Sequence, residues 1–282
     1  MNQHICPNAK GRVVRLTLAA TALVGTATAT PAAVSASTPP STPVPASDLP
    51  QGNDPVELDP TQFTVDIDNP YWPMTPGSQW TYREIDESGA ELVVVVTVTT
   101  ATKEIANGIT ARIVRDTVTE DGHVVEDTFD WYAQDANGTA WYLGEDTAEF
   151  EGGEISSTAG SFEAGVDGAL PGVIMPADPV DGMQYRQEYY ADEAEDNGEI
   201  LSTTEQVDVP AGHFDDLLLT KDTITIQPDV LEYKLYAPGV GPVLTLGISG
   251  GGGREELVQF GPAEAGVADA AGTTPLGQPY LN

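Results

Sequence analysis

The chain has 282 residues, with 44 acidic against 11 basic side chains and a formal net charge of −33. A field of that sign repels nucleic acid and anionic lipid, because affinity for a phosphate backbone depends on Lys and Arg neutralising it, so no nucleic-acid partner is expected. One cysteine, Cys6, and three histidines leave no material for a disulfide framework, a cysteine metal site or a His-rich zinc centre.

At the start of the chain Lys10, Arg12 and Arg15 precede an apolar stretch over residues 16–24 and then a run of small residues. This is the pattern of a cleaved export signal, and the run is far shorter than the roughly 20 residues that a spanning helix needs. Residues 1–36 therefore read as a signal peptide, cut before Thr30 or before Ser37, with no membrane span and a secreted product. Cys6 lies ahead of the apolar run, so it is not a lipid-acceptor residue. Removal of three basic residues and no acidic one would take the charge to −36.

Residues 37–69 turn to Pro, Ser, Thr and Asp, with too little apolar surface to offset chain entropy, and read as a disordered spacer. Residues 263–282 read as a disordered tail. Between them, residues 70–262 carry strand-like runs rich in Val, Ile, Thr, Tyr and Trp, parted by Gly, Asn and Asp turns. The first half holds SQWTYREIDE, ELVVVVTVTT, ITARIVRDTVT, VVEDTFDWYAQ and TAWYLGE; the second holds MQYRQEYYA, ILSTTEQVDV, FDDLLLTKDTITI, LEYKLYA, PVLTLGI and REELVQF. No sustained helical period interrupts them, so the predicted class is all-β with antiparallel neighbours.

Five landmarks recur at spacings of 103 to 105: Gly77 with Gly182, Gly108 with Gly212, Tyr132 with Tyr236, Gly138 with Gly241, and Gly144 with Gly247. They predict two tandem repeats of about 104 residues, near 77–165 and 182–260, joined by AGVDGALPGVIMPADPVDG. One unit alone has exposed edges and half a core. Two together are expected to make a strongly curved sheet or a partly closed barrel.

The most distinctive segment is WYAQDANGTAWYLGE, two aromatic strands flanking an Asn-Gly hairpin turn. Trp80, Trp131, Trp141, Tyr185 and Tyr236 are the candidate ligand-binding residues, lining an apolar hollow, with plain core packing as the competing use. Residues 247–251 match a nucleophile-elbow pattern, but a glycine run and a strand follow where a helix is required, and His123 and His213 both fall in turns. No catalytic and no metal-ligating residue is assigned.

Two acidic groups stand out: Glu120, Asp121, Glu126, Asp127 and Asp130, then Asp192, Glu193, Glu195, Asp196 and Glu199. Both read first as solvated turns. The second has the oxygen density for calcium, the one cofactor considered.

Taken together, WYAQDANGTAWYLGE, PGSQWTYRE, AGVDGALPGVIMP, QYRQEYYADEAED, VPAGHF and YAPGVGPV resemble a family of uncharacterised exported bacterial all-β proteins. The resemblance covers roughly residues 71–260 and implies export, without carrying over any functional residue. Strand composition also offers an analogy to curved antiparallel half-barrels that ferry lipoproteins or lipids across the envelope. The expected function is a secreted, non-catalytic binding or surface protein, its partner an apolar small molecule or a cell-envelope component. The alternative is an extracellular hydrolase that uses carboxylates, with calcium.

Overall fold

The computed structural model describes residues 49–281 apart from Gly252. The expected signal peptide and residues 37–48 of the expected spacer lie outside the described residues.

The strands of the first half are β1 (Phe63–Thr64), β2 (Ser78–Ile85), β3 (Glu91–Glu104), β4 (Thr110–Glu120), β5 (His123–Asp135), β6 (Ala140–Glu151), β7 (Glu154–Ser157) and β8 (Phe162–Glu163). Those of the second are β9 (Gly172–Met175), β10 (Gln184–Arg186), β11 (Asp196–Val209), β12 (Gly212–Ile224), β13 (Leu231–Ala237), β14 (Gly241–Ser249) and β15 (Arg254–Pro262), followed by the short helix α1 (Val267–Ala271). They form one antiparallel sheet in the order β10-β11-β12-β13-β14-β15-β2-β3-β4-β5-β6-β7, with β1 added to β5, and β8 and β9 to β6. The all-β, antiparallel expectation therefore holds.

The sheet is strongly bent. Tyr132 on β5 and Tyr236 on β13 are six ladder steps apart, which at the usual strand spacing is about 29 Å on a flat sheet. Yet both rings meet one indole, that of Trp72, at centroid distances of 5.4 and 6.1 Å. The sheet is nevertheless not closed, because its path ends at β10 on one side and at β7 on the other. The link between the halves spans part of that gap, through a single bridge between Leu170 and Tyr189.

Three segments hold more structure than their composition predicts. The link contributes β9, whose Val173, Ile174 and Met175 are fully buried against β6. The spacer expectation fails over residues 49–69: Leu49, Val56, Leu58 and Phe63 pack on the core, and the buried Arg186 donates to the carbonyls of Gly52, Asp54 and Pro171. Residues 263–281 are likewise not a loose tail. Arg115 on β4 donates to the carbonyls of Ala271, Thr274 and Pro275, and Tyr280 lies over its guanidinium at 4.2 Å. In both places a buried arginine satisfies backbone acceptors that a Pro-rich or Gly-rich segment cannot satisfy itself.

Candidate functional site

The concave face of the sheet carries the site. On β5 strict alternation turns Thr128, Asp130 and Tyr132 inward and sends Phe129 and Trp131 to the other face. On β13 the inward residues are Glu232, Lys234 and Tyr236, and on β2 they include Trp80 and Tyr82. With Trp72, from the segment that precedes β2, these side chains enclose a chamber of about 70 Å³.

Five aromatic rings border the chamber: Trp72, Trp80, Tyr82, Tyr132 and Tyr236. Two of their polar tips are tied to the β13–β14 turn, where the Trp80 indole donates to the Val240 carbonyl at 2.8 Å and the Tyr82 hydroxyl to the Pro242 carbonyl at 3.0 Å. The indole N–H of Trp72 is buried and has no hydrogen-bond partner among the described residues.

The rest of the wall is mixed, with Met74, Val96, Val114 and Pro242 as its apolar part, the hydroxyls of Thr128 and Thr245, and a set of charged side chains. Asp116, Asp130, Glu232 and Glu255 border the chamber, together with a single base, Lys234. Lys234 is buried, with its ammonium 2.8 Å from Asp222 and 3.3 Å from Glu232. Burial works against its charge, but those two carboxylates outweigh it and raise the pKa well above the ordinary lysine value. A smaller cavity of about 10 Å³ shares Glu232 and Lys234 with the chamber and adds Glu188, Asp196 and Asp222. Glu188 is 1% exposed, and neither of its carboxyl oxygens has a hydrogen-bond partner among the described residues; one oxygen each of Asp196 and Asp222 is in the same position.

Beside the chamber a bulge on β6 brings two polar side chains to one face. Asp130 pairs with Glu145 and Tyr132 with Tyr142, so Leu143 and Gly144 on β6 oppose Trp131 alone on β5, with Gly144 at φ 127° taking up the extra step. The Tyr142 hydroxyl then lies 2.7 Å from Asp130 Oδ1 and 2.6 Å from Glu145 Oε2. A phenol has one hydrogen, so a second contact of that length needs a proton on one of the carboxyls.

The electrostatics agree. Burial raises Asp130 to about 7 against the opposing hydrogen bonds from Tyr142 and Tyr132, and burial with the charge of Asp130 raises Glu145 well above the carboxylate range. Burial, then the neighbouring Asp196, raises Glu188 in the same way; burial raises Asp196 to about 7 although Lys234 pulls it down.

Of the five aromatic residues predicted from sequence, Trp80 and Tyr236 line the chamber. Tyr185 is buried nearby with its ring over Gly198, where a Cβ would lie 2.8 Å from a ring carbon. Trp131 packs beneath the Lys103 ammonium at 4.1 Å, and Trp141 donates to Asp135 and meets Phe63 edge-on; neither borders the chamber. The Asn-Gly hairpin forms, with only Gly138 at positive φ, while Asp135 Oδ1 accepts from the backbone of Asn137 and Thr139.

Sequence reasoning missed Trp72, Tyr132 and the inward carboxylates. The available signal was parity, since Asp130 shares its face with Tyr132, and Glu232 with Tyr236. The acidic group near residue 195 divides: Asp192 sits in a left-handed turn and donates its backbone N–H to Glu195 Oε1, whereas Asp196 turns into the smaller cavity. Among the described residues no group of three or more His, Cys, Asp or Glu is placed to hold a metal ion. At the elbow-like sequence, Ser249 donates its hydroxyl to the Asp229 carbonyl, and a strand follows.

No helix among the described residues is long and apolar enough to cross a membrane. No family model matches the chain, and no curated protein matches it. Among solved structures it is similar to one described as a putative lipoprotein from Parabacteroides distasonis, with 14% identity over 68% of this chain and 98% of that one, at a TM-score of 0.37. That distance transfers neither an activity nor a ligand.

Proposed function

We propose that the protein is an exported, non-catalytic binding module whose bent sheet holds a small ligand between Trp72, Trp80, Tyr132 and Tyr236. The observation that carries this reading is the chamber, whose volume of about 70 Å³ corresponds to room for roughly five waters. Export rests on the signal-like residues at the start of the chain and on the resemblance to exported bacterial proteins.

On this reading the chain is a duplicated unit bent around its own midline. Tyr132 and Tyr236 reach the same indole from matching strands of the two halves. Gly77 donates its N–H to Val98 on β3, as Gly182 does to Ile200 on β11.

Native mass spectrometry of the protein isolated from its own host is the test. A small-molecule adduct is expected, lost in Tyr236→Ala and kept in Trp141→Phe. A bare polypeptide mass, with an experimental structure in which side chains fill the chamber, would overturn the proposal.

A second reading, an extracellular hydrolase, is favoured by one observation: Asp130, raised to about 7, faces a proton-bearing partner across Tyr142. Silence on glycan, ester and peptide panels, with and without EDTA, would remove it.

A further inference from the structure

We infer that the chamber takes a small neutral molecule with a hydrogen-bond acceptor, a carbonyl or ether oxygen on a compact apolar body, and that the Trp72 indole N–H is the donor that orients it. This deepens the binding reading above and rests on it.

The donor is the first observation. Trp72 borders the chamber and is 3% exposed, yet its indole nitrogen has no hydrogen-bond partner among the described residues. A buried tryptophan N–H ordinarily finds an acceptor, and one left unmet is costly. A phenylalanine would set an aromatic ring at this point without that cost. An acceptor arriving with a ligand removes it.

The second observation is how firmly the indole is held. Trp72 lies in the turn between Ile67 and Met74, which pair with each other. In that turn the Asn69 side chain donates to the carbonyls of Gly138 and Pro176 and accepts from the Tyr71 N–H, while the Pro70 carbonyl accepts from the Gly239 N–H. Both halves of the chain thus fix the turn, and the ring stands between Tyr132 and Tyr236. A donor fixed before binding loses little freedom when it meets its ligand.

The third is the state of the other polar groups. The tips of Trp80 and Tyr82 bond to backbone carbonyls, Thr128 bonds to Thr147, and Thr245 donates to Glu255. Charged groups on the wall are likewise engaged, Glu232 with Lys234, and Asp130 with Tyr142 and Tyr132. A charged ligand would have to break into those contacts, whereas a neutral one leaves them intact and needs only the Trp72 N–H. Met74, Val96, Val114 and Pro242 suit an apolar remainder. Room for roughly five waters is about 150 Å³ of liquid, enough for a single six-membered ring.

NMR of the four tryptophan indole N–H groups in the full protein tests this, with cyclohexanone and its acceptor-free isostere methylenecyclohexane as probes. Cyclohexanone should bind saturably and move the Trp72 N–H proton downfield, the resonance being assigned by its loss in Trp72→Phe. Methylenecyclohexane should produce no such shift. Trp72→Phe should weaken cyclohexanone by about tenfold relative to its effect on methylenecyclohexane. Replacement of Trp72 by benzothienylalanine, which keeps the bicyclic shape without the N–H, should do the same, and Trp141→Phe should leave both probes unchanged. Equal losses for the two probes, or a Trp72 resonance that stays in place while cyclohexanone binds, would overturn the acceptor proposal and leave the chamber as an apolar pocket. Tighter binding of cyclohexylammonium or cyclohexanecarboxylate than of cyclohexanone would overturn the neutral ligand. No saturable binding of any of the four would overturn the chamber as a binding site as well.

Discussion

Two buried charge systems lie in different parts of the same sheet and differ in one respect. On the outer face of β4 and β5, Arg115 and Asp127 have side chains 0% and 1% exposed, and every polar atom is matched. The guanidinium donates to both carboxylate oxygens and to three backbone carbonyls, while Asp127 also accepts from the Thr117 hydroxyl and the Gly277 N–H. On the inner face of β11 to β13 Lys234 is shared between Asp222 and Glu232, while both oxygens of Glu188 and one each of Asp196 and Asp222 have no hydrogen-bond partner among the described residues. A completed charge pair ties chain segments together; an uncompleted one leaves buried carboxyls that hold protons instead of counter-ions.

Asp127→Ala is the sharpest way to break this comparison. It leaves the buried guanidinium without its counter-charge and takes the acceptor from four donor contacts, and should cost about 3–5 kcal/mol in urea unfolding while exposing residues 263–281 to proteolysis. A loss below about 1 kcal/mol with the tail still protected would mean that the outer pair is no tie at all.

Lys234→Met tests the inner face and should behave differently with pH. Asp130 and Asp196 are raised to about 7, and Glu145 and Glu188 are raised as well, so the folded protein holds more protons than the unfolded chain between about pH 4 and 7. Their contribution to stability is therefore fully present below the unfolded carboxylate values and is lost as pH rises through neutrality. Removing the only base on this wall should cost about 3 kcal/mol near pH 8, and less near pH 5 where the carboxyls are protonated. A cost that does not vary between those conditions would contradict the linkage.

The smallest effect is expected from Gly198→Ala, which places a methyl 2.8 Å from the Tyr185 ring. The ring is the far end of a side chain and can shift, so a loss of about 1 kcal/mol is expected in thermal or urea unfolding.

Class and strand positions were legible because β-branched and aromatic runs alternate with turn residues: ELVVVVTVTT became β3, and VVEDTFDWYAQ lies within β5. The chamber was not, for a reason visible on β5. Both faces of that strand are covered, so Glu126, Asp127, Thr128, Asp130, Trp131 and Tyr132 are all buried, and alternation no longer marks an inside. Trp131 looked as eligible as Tyr132, and Asp130 looked like part of a solvated run. The bulge at Gly144 shifts the parity of Glu145 as well, which spacing alone does not reveal. Order in residues 49–69 and in the tail depends on Arg186 and Arg115, far away in sequence, and local composition carries no trace of them.

The pairing of β15 with β2 places the last strand of the body beside the first large one, at the middle of the sheet rather than at a rim. Each flank can zip early, from neighbouring hairpins, but the seam joining the flanks must wait until nearly the whole body is available. Shortening the body from its C-terminal end would thus split the molecule down its centre instead of trimming a border strand.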